Sequence, residues 1–407
     1  MTSNAGGQKT LKDLVIVGAG PAGSICAMHA AKIGLDVLLV DKAKFPRFKS
    51  CGGALSERTK INLGPKGIKS INCQSEGLTV FSPSYQEADY EGEECLNLVV
   101  RTEWDHALLV DAKDAGAETL EETMVKDIDP KKTFIRVFFK DQDPVKAKYV
   151  VIADGTGLRS YKKKLGFTQP YEYMARTVCA ENPIDDSILD HHFDGKRKIQ
   201  LYFGVVPRGY GWVFPKRGYL NIGIGFSNQE TPPINQFEIF DIFLASLKKR
   251  GVVPENFDGS TRKTHPVPFQ KPFDPTGIGN ILLIGDAGGF VSPVTGEGLY
   301  YGTTTGRIAA ETIHEDIDGQ LDDELVTIYK EKWMEDFGDD LINKGLPLAN
   351  LVYKSVRRME LLVKMMASDE DTCKAAAEMI IGLKSYGEAR SKVYRRAPIS
   401  VLKSLLR

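Results

Sequence analysis

The sequence predicts an α/β (α+β) fold: a Rossmann-like dinucleotide-binding domain with an inserted antiparallel-sheet domain and a helical C-terminal region. Three observations predict it. A glycine-rich turn near the N-terminus stands between a short apolar run and a stretch of helical periodicity. The pattern then changes to short alternating strands broken by Gly and Pro, and beyond about Glu311 it is almost all helical.

The run Asp13-Leu14-Val15-Ile16-Val17 is short and continuously apolar, as a strand covered on both faces requires. Small and apolar residues recur at helical spacing from Ala22 to Ile33, Gly34 is placed to end that helix, and Val37-Leu38-Leu39-Val40 follows as a second buried strand. The three form a β-α-β unit with an expected right-handed crossover. Between Ile71 and Val100, the pieces Leu78 to Phe81 and Leu96 to Val100 read as strands of antiparallel hairpins. A helix is expected from Glu103 to Ala115, and strands from Thr133 to Phe139 and from Tyr149 to Ala153. Alternating stretches from Tyr171 through Gly225 read as a separate antiparallel sheet, and Ile281 to Ile284 as a third buried strand. The expected division is 1–70, 101–165 and 270–325 for the dinucleotide domain, 71–100 and 166–269 for the inserted domain, and 326–407 for the helical region.

Composition narrows the function. The 407 residues carry 53 Lys and Arg against 54 Asp and Glu, a net charge of -1, whereas a general nucleic-acid binder needs clustered excess cations. Met1 to Lys12 lacks the pattern of a signal peptide and no window approaches the roughly 20 apolar residues of a spanning helix, so a cytoplasmic protein is expected. The six cysteines (Cys26, Cys51, Cys73, Cys95, Cys179, Cys373) form no close pair, and the six histidines show no metal-ligand spacing beyond the adjacent His191 and His192. No metal is expected, and a single disulfide is left open.

The chemistry sits in the turns. Gly18-Ala19-Gly20-Pro21-Ala22-Gly23 fits G-x-G-x-x-G: Gly18 for the tight turn, Gly20 for approach to a pyrophosphate, Gly23 for helix-on-strand packing, with the helix N-terminus facing the negative charge. Asp41 ends the next strand, where a carboxylate accepts from an adenosine ribose; the alternative is a solvated Asp beside an empty turn. Tyr210, Trp212 and Phe214 alternate, so in a strand they share a face, as a wall for a greasy ligand or as a core stripe. Gly52 and Gly53 leave bare backbone where a flat ring could lie, and Gly296 to Leu299 can offer N–H groups at a helix start.

Two further passages, Val150-Val151-Ile152-Ala153-Asp154-Gly155 with Arg159 and Ser160 nearby, and Leu283-Ile284-Gly285-Asp286-Ala287, resemble the downstream fingerprints of the p-hydroxybenzoate hydroxylase superfamily of flavoproteins, which implies FAD. Within it the chain resembles the geranylgeranyl reductases, including archaeal enzymes that saturate digeranylgeranyl glycerolipids. Phe45-Pro46-Arg47-Phe48-Lys49-Ser50-Cys51-Gly52-Gly53 looks like their Pro-x-x-Lys-x-Cys-Gly-Gly segment, and Tyr210-Gly211-Trp212-Val213-Phe214-Pro215-Lys216 their Tyr-x-Trp-x-Phe-Pro-Lys motif. Gly285 through Tyr301 looks like their Gly-Asp loop running into a Gly-Glu-Gly helix start.

That resemblance implies FAD held by Gly18, Gly20, Ala22, Gly23, Asp41, Gly52, Gly53, Ala54, Arg101, Val125, Asp286, Gly296, Gly298 and Leu299. Asp286 would lie beside the ribityl chain and pyrophosphate, Arg101 would close over the cofactor, and Val125 would meet the adenine through its main chain. Arg101 has a plainer reading as a surface helix cap pairing Glu103 or Asp105. The implied reaction is hydride addition to an isolated C=C bond of a polyprenyl chain in a hydrophobic tunnel between the first two domains. Cys51, Tyr210, Trp212 and Phe214 would face the substrate, with Cys51, Tyr210 or a bound water giving the proton; the plainer reading of Cys51 is a small buried hydrophobe. The resemblance implies an external electron donor, and whether that is NAD(P)H, ferredoxin or another is open, since no second G-x-G-x-x-G marks a nicotinamide domain.

Two rivals stand beside the reductase: a flavin monooxygenase or halogenase, expected to carry a Gly-Glu-Ser-type segment in place of Cys-Gly-Gly, and a non-catalytic prenyl-lipid carrier built like the GDP-dissociation inhibitors. The C-terminal cations Arg390, Lys392, Arg395, Arg396, Lys403 and Arg407 interleave with Val393, Ile399, Val401, Leu402, Leu405 and Leu406. A solvated helix capping the core is the first reading of this pattern, and a peripheral helix on the inner face of an anionic membrane the second.

Overall fold

The computed structural model describes residues 11–92, 96–157, 160–168, 170–229, 235–317 and 324–405. The expectations on Met1 to Thr10, Cys95, Arg159, Leu406 and Arg407, and on the side chains of Leu402 and Leu405, lie outside the described residues. The first sheet is built on β1 (Lys12–Val17), crossed by α1 (Pro21–Lys32) into β2 (Val37–Val40), with Val15 opposite Leu38 in parallel register. The parallel strand Val145–Ile152 lies on the other side of β1, and Ile281–Leu283 beyond it, with Val151 opposite Leu282. Leu14 and Ile16 pack into one core cluster with α1, while Val15 and Val17 pack into another with Ile128 and Val137. Burial on both faces is why these strands read as unbroken apolar runs.

The helix expected from Glu103 is α2 (Arg101–Asp114), which begins two residues earlier, after Val100. That shift puts Arg101 on the first helical residue, buried. Leu96 to Val100 does not pair with Leu78 to Phe81 as expected. Only Asn97–Leu98 is strand, joined to Ala54–Leu55 and Cys73–Gln74 in a small separate sheet, because this buried stretch carries the chain back into α2.

The second sheet has seven strands, in the order Lys263–Pro268, Met174–Pro183, Tyr219–Ser227, β3 (Gly209–Lys216), Ile199–Phe203, Gly77–Phe81, Glu87–Glu91. It is not wholly antiparallel: Ile199–Phe203 runs parallel to Gly77–Phe81, since the latter enters from a distant part of the chain. The expected run of strands is also broken by a short helix, Asp186–His192, capped by the Asp185 carboxylate accepting from the Ser187 N–H. On β3 the two faces divide cleanly. Val213 packs with Phe240, Phe243 and Leu247 of α3 (Gln236–Lys249), and a Cβ on Gly211 would lie 2.7 Å from the Phe243 ring. Tyr210, Trp212 and Phe214 therefore face the other way, toward the first domain.

Helix α4 (Leu299–Glu315) lies close against α1: a Cβ on Gly306 would fall 2.5 Å from the Ala22 carbonyl oxygen. The remaining chain is helical, including α5 (Val356–Ser368), α6 (Glu370–Ile380) and α7 (Tyr386–Leu405). On α7, Arg396 and Lys403 each reach Asp369 at 2.7 Å, and Ser400 is buried. These cations dock the helix on the protein, and none of the described helices is long and apolar enough to cross a membrane.

One turn apart on α4, Gly302 and Gly306 make a paired test. A Cβ on Gly302 meets nothing nearer than 3.6 Å, whereas one on Gly306 meets backbone that cannot yield. Gly306→Ala is expected to cost about 2–4 kcal/mol, while Gly302→Ala stays within about 1 kcal/mol of the parent, measured by denaturant unfolding. Equal effects at the two positions would contradict this packing.

Candidate active site

A single cavity of about 1000 Å³ runs from the glycine loop after β1, past the Cys51–Gly53 and Gly296–Gly298 segments, to the C-terminal helices. Its first end is polar and short of side chains. Gly18 adopts φ +107° and donates its N–H to the Val40 carbonyl at 2.7 Å; a Cβ there would sit 2.4 Å from the Ala153 oxygen. A Cβ on Gly23 would lie 1.8 Å from the Gly18 oxygen, so this position holds helix to turn. Gly20 differs: its only near neighbour is the Arg47 guanidinium tip at 3.6 Å, and no side chain caps the first N–H groups of α1. Bare backbone, open helix N–H groups and an arginine meet the needs of a pyrophosphate. Arg47 was not singled out in the sequence.

Asp41 holds the loop in place as well as lining the cavity: its two oxygens accept the Ala19 N–H at 2.7 Å and the Ala43 N–H at 2.8 Å. A carboxylate has about four acceptor sites, so capacity remains for a ribose. Buried Val125 lines the same end. Arg101 binds Asp105 through two hydrogen bonds, 2.6 and 2.9 Å, and Asp105 also faces Arg47 at 3.1 Å. The pairing partner is thus one of the two named for a surface cap, but the arginine is buried, lines the cavity and stands beside the Cys51 thiol. Asp286 follows the strand Ile281–Leu283 in a tight turn and lines the cavity next to Gly298.

Gly52 and Gly53 line the cavity and also pack tightly against the protein: a Cβ on Gly52 would strike the Phe214 ring at 2.6 Å, and one on Gly53 the Val99 oxygen at 2.3 Å and Lys216 Nζ at 2.9 Å. Lys216, the last residue of the aromatic motif, has no exposed surface; it donates to the Val99 carbonyl at 2.7 Å and pairs with Glu181. Asn221 joins the network, donating to the Cys51 carbonyl and to Glu181 at 3.0 Å each and accepting from Trp212 Nε1 at 2.8 Å. Across the cavity, Glu297 accepts from Ser56 and Arg58, and Tyr210 donates its hydroxyl to the Thr295 carbonyl. Leu299 opens α4, whose first N–H groups have no side-chain cap.

Tyr210, Trp212 and Phe214 line the cavity together with Leu201 and Phe203 of the adjoining strand. The apolar space is not confined between the first two domains: Leu362, Met365, Met366, Met379 and Val393 from α5, α6 and α7 form a further wall. Nothing local in those helices distinguishes a cavity-facing Met from a core one, so this wall was not legible in the sequence. Cys51 is half-buried in the lining, and the five described cysteines are free thiols.

A Lys–His contact also went unseen. Lys49, two residues before Cys51, hydrogen-bonds His265 from the strand Lys263–Pro268. Burial foremost, and the cations Lys49, Arg101, Arg47 and Lys42, push His265 down to about 3, leaving a neutral imidazole. Burial likewise lowers Lys49 to about 8, with Asp286 and Cys51 opposing and Arg101 and Arg47 assisting. Lys42, Arg47, Lys49 and Arg101 line this end of the cavity together with Asp41, Asp154 and Asp286.

The family described as FAD binding domain matches residues 12–336. A digeranylgeranylglycerophospholipid reductase of Methanocaldococcus jannaschii is 29% identical over 340 residues, 79% of this chain and 82% of that protein. A menaquinone reductase of Mycolicibacterium smegmatis is 32% identical over 319 residues, 74% of this chain and 76% of that protein. A geranylgeranyl bacteriochlorophyll reductase-like protein from Thermoplasma acidophilum superposes with a TM-score of 0.79 at 22% identity, covering 95% of this chain and 99% of that one. The flavin-dependent halogenase CmlS superposes at 0.70 and 18% identity, covering 96% and 78%.

The lowered Lys49 value gives a pH test of the cofactor end. Protonated Lys49 attracts a pyrophosphate and neutral Lys49 does not, so FAD affinity is expected to fall about threefold to tenfold as pH rises through 8. Lys49→Met removes that step. Fluorescence titration of apoprotein with FAD at about pH 6.5 and about pH 9.5 checks it; identical pH slopes in the two proteins would contradict the assignment.

Proposed function

The chain belongs to the FAD binding domain family, and on that premise we propose that it saturates isolated C=C bonds of geranylgeranyl or related polyprenyl chains, archaeal-type membrane ether lipids among them. It is a flavin-dependent oxidoreductase with FAD as cofactor. The observation that carries the finer reading is the continuity of the cavity: its phosphate-suited end opens without a break into an apolar arm long enough to be walled by three separate parts of the fold. Pockets of about 300–1000 Å³ hold drug-sized ligands, and this one stands at the top of that range.

Gly18, Gly20, Ala22 and Arg47 would hold the pyrophosphate, with buried Gly23 packing helix on turn behind them, Asp41 the ribose and Val125 the adenine, with Arg101 and Asp286 near the ribityl chain. Gly52, Gly53 and Ala54 on one side, and Gly296, Gly298 and Leu299 on the other, would flank the ring. Bound there in reduced form, FAD supplies hydride. The protein's own residues have the harder task, because an isolated alkene accepts hydride poorly and needs a proton delivered to its other carbon. We assign this proton to Cys51, whose thiol lines the cavity beside Arg101. Tyr210 and Trp212 have their polar hydrogens committed to Thr295 and Asn221, so they offer ring surface to a prenyl chain. That wall excludes water from the reacting carbons. Electrons come from an external donor.

The fold is shared with a halogenase, so oxygen is the discriminating reagent. Under strict anaerobiosis the FAD-loaded, dithionite-reduced protein is expected to convert digeranylgeranylglyceryl phosphate to products heavier by about 2 Da per bond saturated, read by mass spectrometry. Cys51→Ala should lower turnover about 10- to 100-fold while retaining FAD. Product that forms only with oxygen, hydroxylated or halogenated, would contradict the proposal.

A further inference from the structure

The apolar arm ends in an opening whose chemistry differs from its walls. Among the described residues from Leu348 onward that line the cavity, Arg358 and Arg390 are the only charged ones. Leu351, Leu361 and Tyr394 line it beside them and are exposed, which marks this place as the mouth. We propose that Arg358 and Arg390 form an anion site at the mouth, which holds the phosphate or diphosphate head of a prenyl substrate while its chain lies inward. The proposal rests on the reading of the arm as a prenyl-chain site.

Neither arginine is explained by the fold. Arg358 stands in the first turn of α5, where the helix dipole disfavours a cation, and its guanidinium donates one long hydrogen bond, 3.3 Å, to the Leu351 carbonyl. Arg390 is half-buried on α7, its guanidinium 6.0 Å from the Tyr394 ring centre. Among the described residues neither pairs with a carboxylate, whereas Arg396 and Lys403 on the same helix share Asp369. The nearest acids in the chain are engaged elsewhere: Glu360 accepts from Ser84, and Glu388 from Ser385. Lys354 and Arg357 precede Arg358, and Lys392 and Arg395 follow Arg390, with no acid among them. Among the described residues that line the mouth no acid stands beside Arg358 and Arg390, so the mouth carries positive charge on a chain of net charge -1. A prenyl alcohol gains nothing from this field, whereas a phosphate ester gains charge-assisted hydrogen bonds that arginine is shaped to give.

The test compares three ligands on the FAD-loaded full chain: geranylgeraniol, geranylgeranyl diphosphate and digeranylgeranylglyceryl phosphate, each titrated by quenching of protein and flavin fluorescence. The wild type is expected to bind a phosphate-headed ligand at least about tenfold tighter than geranylgeraniol, with a preference that weakens as salt rises. In Arg358→Gln/Arg390→Gln the preference should shrink to about twofold or less, and in Arg358→Lys/Arg390→Lys most of it should remain. Preference for both phosphates assigns the site to a free prenyl phosphate as much as to a lipid head; preference for the glycerol-linked one alone assigns it to the lipid. Equal affinities in the wild type, or a preference that survives the Gln variant, would overturn the anion site and leave the prenyl reading standing. Failure of all three ligands to bind would overturn both.

Discussion

One buried cation holds the site together. Lys216 has no solvent-exposed surface, and the partners that satisfy it are the Glu181 carboxylate and the Val99 carbonyl. A charge removed from water at that depth is tolerated only with its partners in place, and loss of one partner is far more damaging than loss of the pair. The pair therefore does little for net stability and much for position. It ties the end of β3 to the segment entering α2, and through Asn221 it fixes the carbonyl of Cys51. Gly53 is pressed against the ammonium itself. The Cys-Gly-Gly loop is thus held by the second sheet, although it belongs in sequence to the first.

From that constraint follows a cavity that changes character along its length. At one end are bare glycine backbone, open helix N–H groups and four cations. In the middle, aromatic rings present their faces because their polar atoms are already bonded to the protein. Beyond them come the unbranched, adaptable side chains of Met365, Met366 and Met379, which can follow a flexible chain without specifying one shape. Glu297 illustrates the same economy on the opposite wall: the acid of the Gly-Glu-Gly turn is bound to Ser56 and Arg58, so it locks the turn and leaves the flanking glycines to face the cavity.

What was legible in the sequence was local. Gly18, Gly20, Gly23 and Asp41 lie within one β-α-β unit, where each residue's task follows from turn geometry and helix polarity. The shared face of Tyr210, Trp212 and Phe214 follows from the two-residue period of a strand. What was not legible joins residues far apart. Lys49 and His265 meet through the packing of a loop on a distant strand, and Asn221 reaches Cys51 only because the sheets abut. The glycines of the Cys-Gly-Gly loop were legible as bare backbone, but their close packing against Phe214, Val99 and Lys216 was not, since those residues come from distant parts of the chain. The C-terminal helices contribute a wall of the cavity with side chains whose pattern is that of any amphipathic helix. Among the described residues Arg358 and Arg390 stand at the mouth with no carboxylate partner, a placement no local pattern in these helices announces.

For the proposed reaction, the ring site and the prenyl site must form one space. A crystal structure of the FAD-loaded chain with a geranylgeranyl lipid tests this most directly. The flavin ring is expected between Gly52 and Gly296, with a prenyl double bond lying against it and the rest of the chain passing Trp212 toward α5 and α7. A ring position closed by side chains, or a lipid bound outside the cavity, would contradict it.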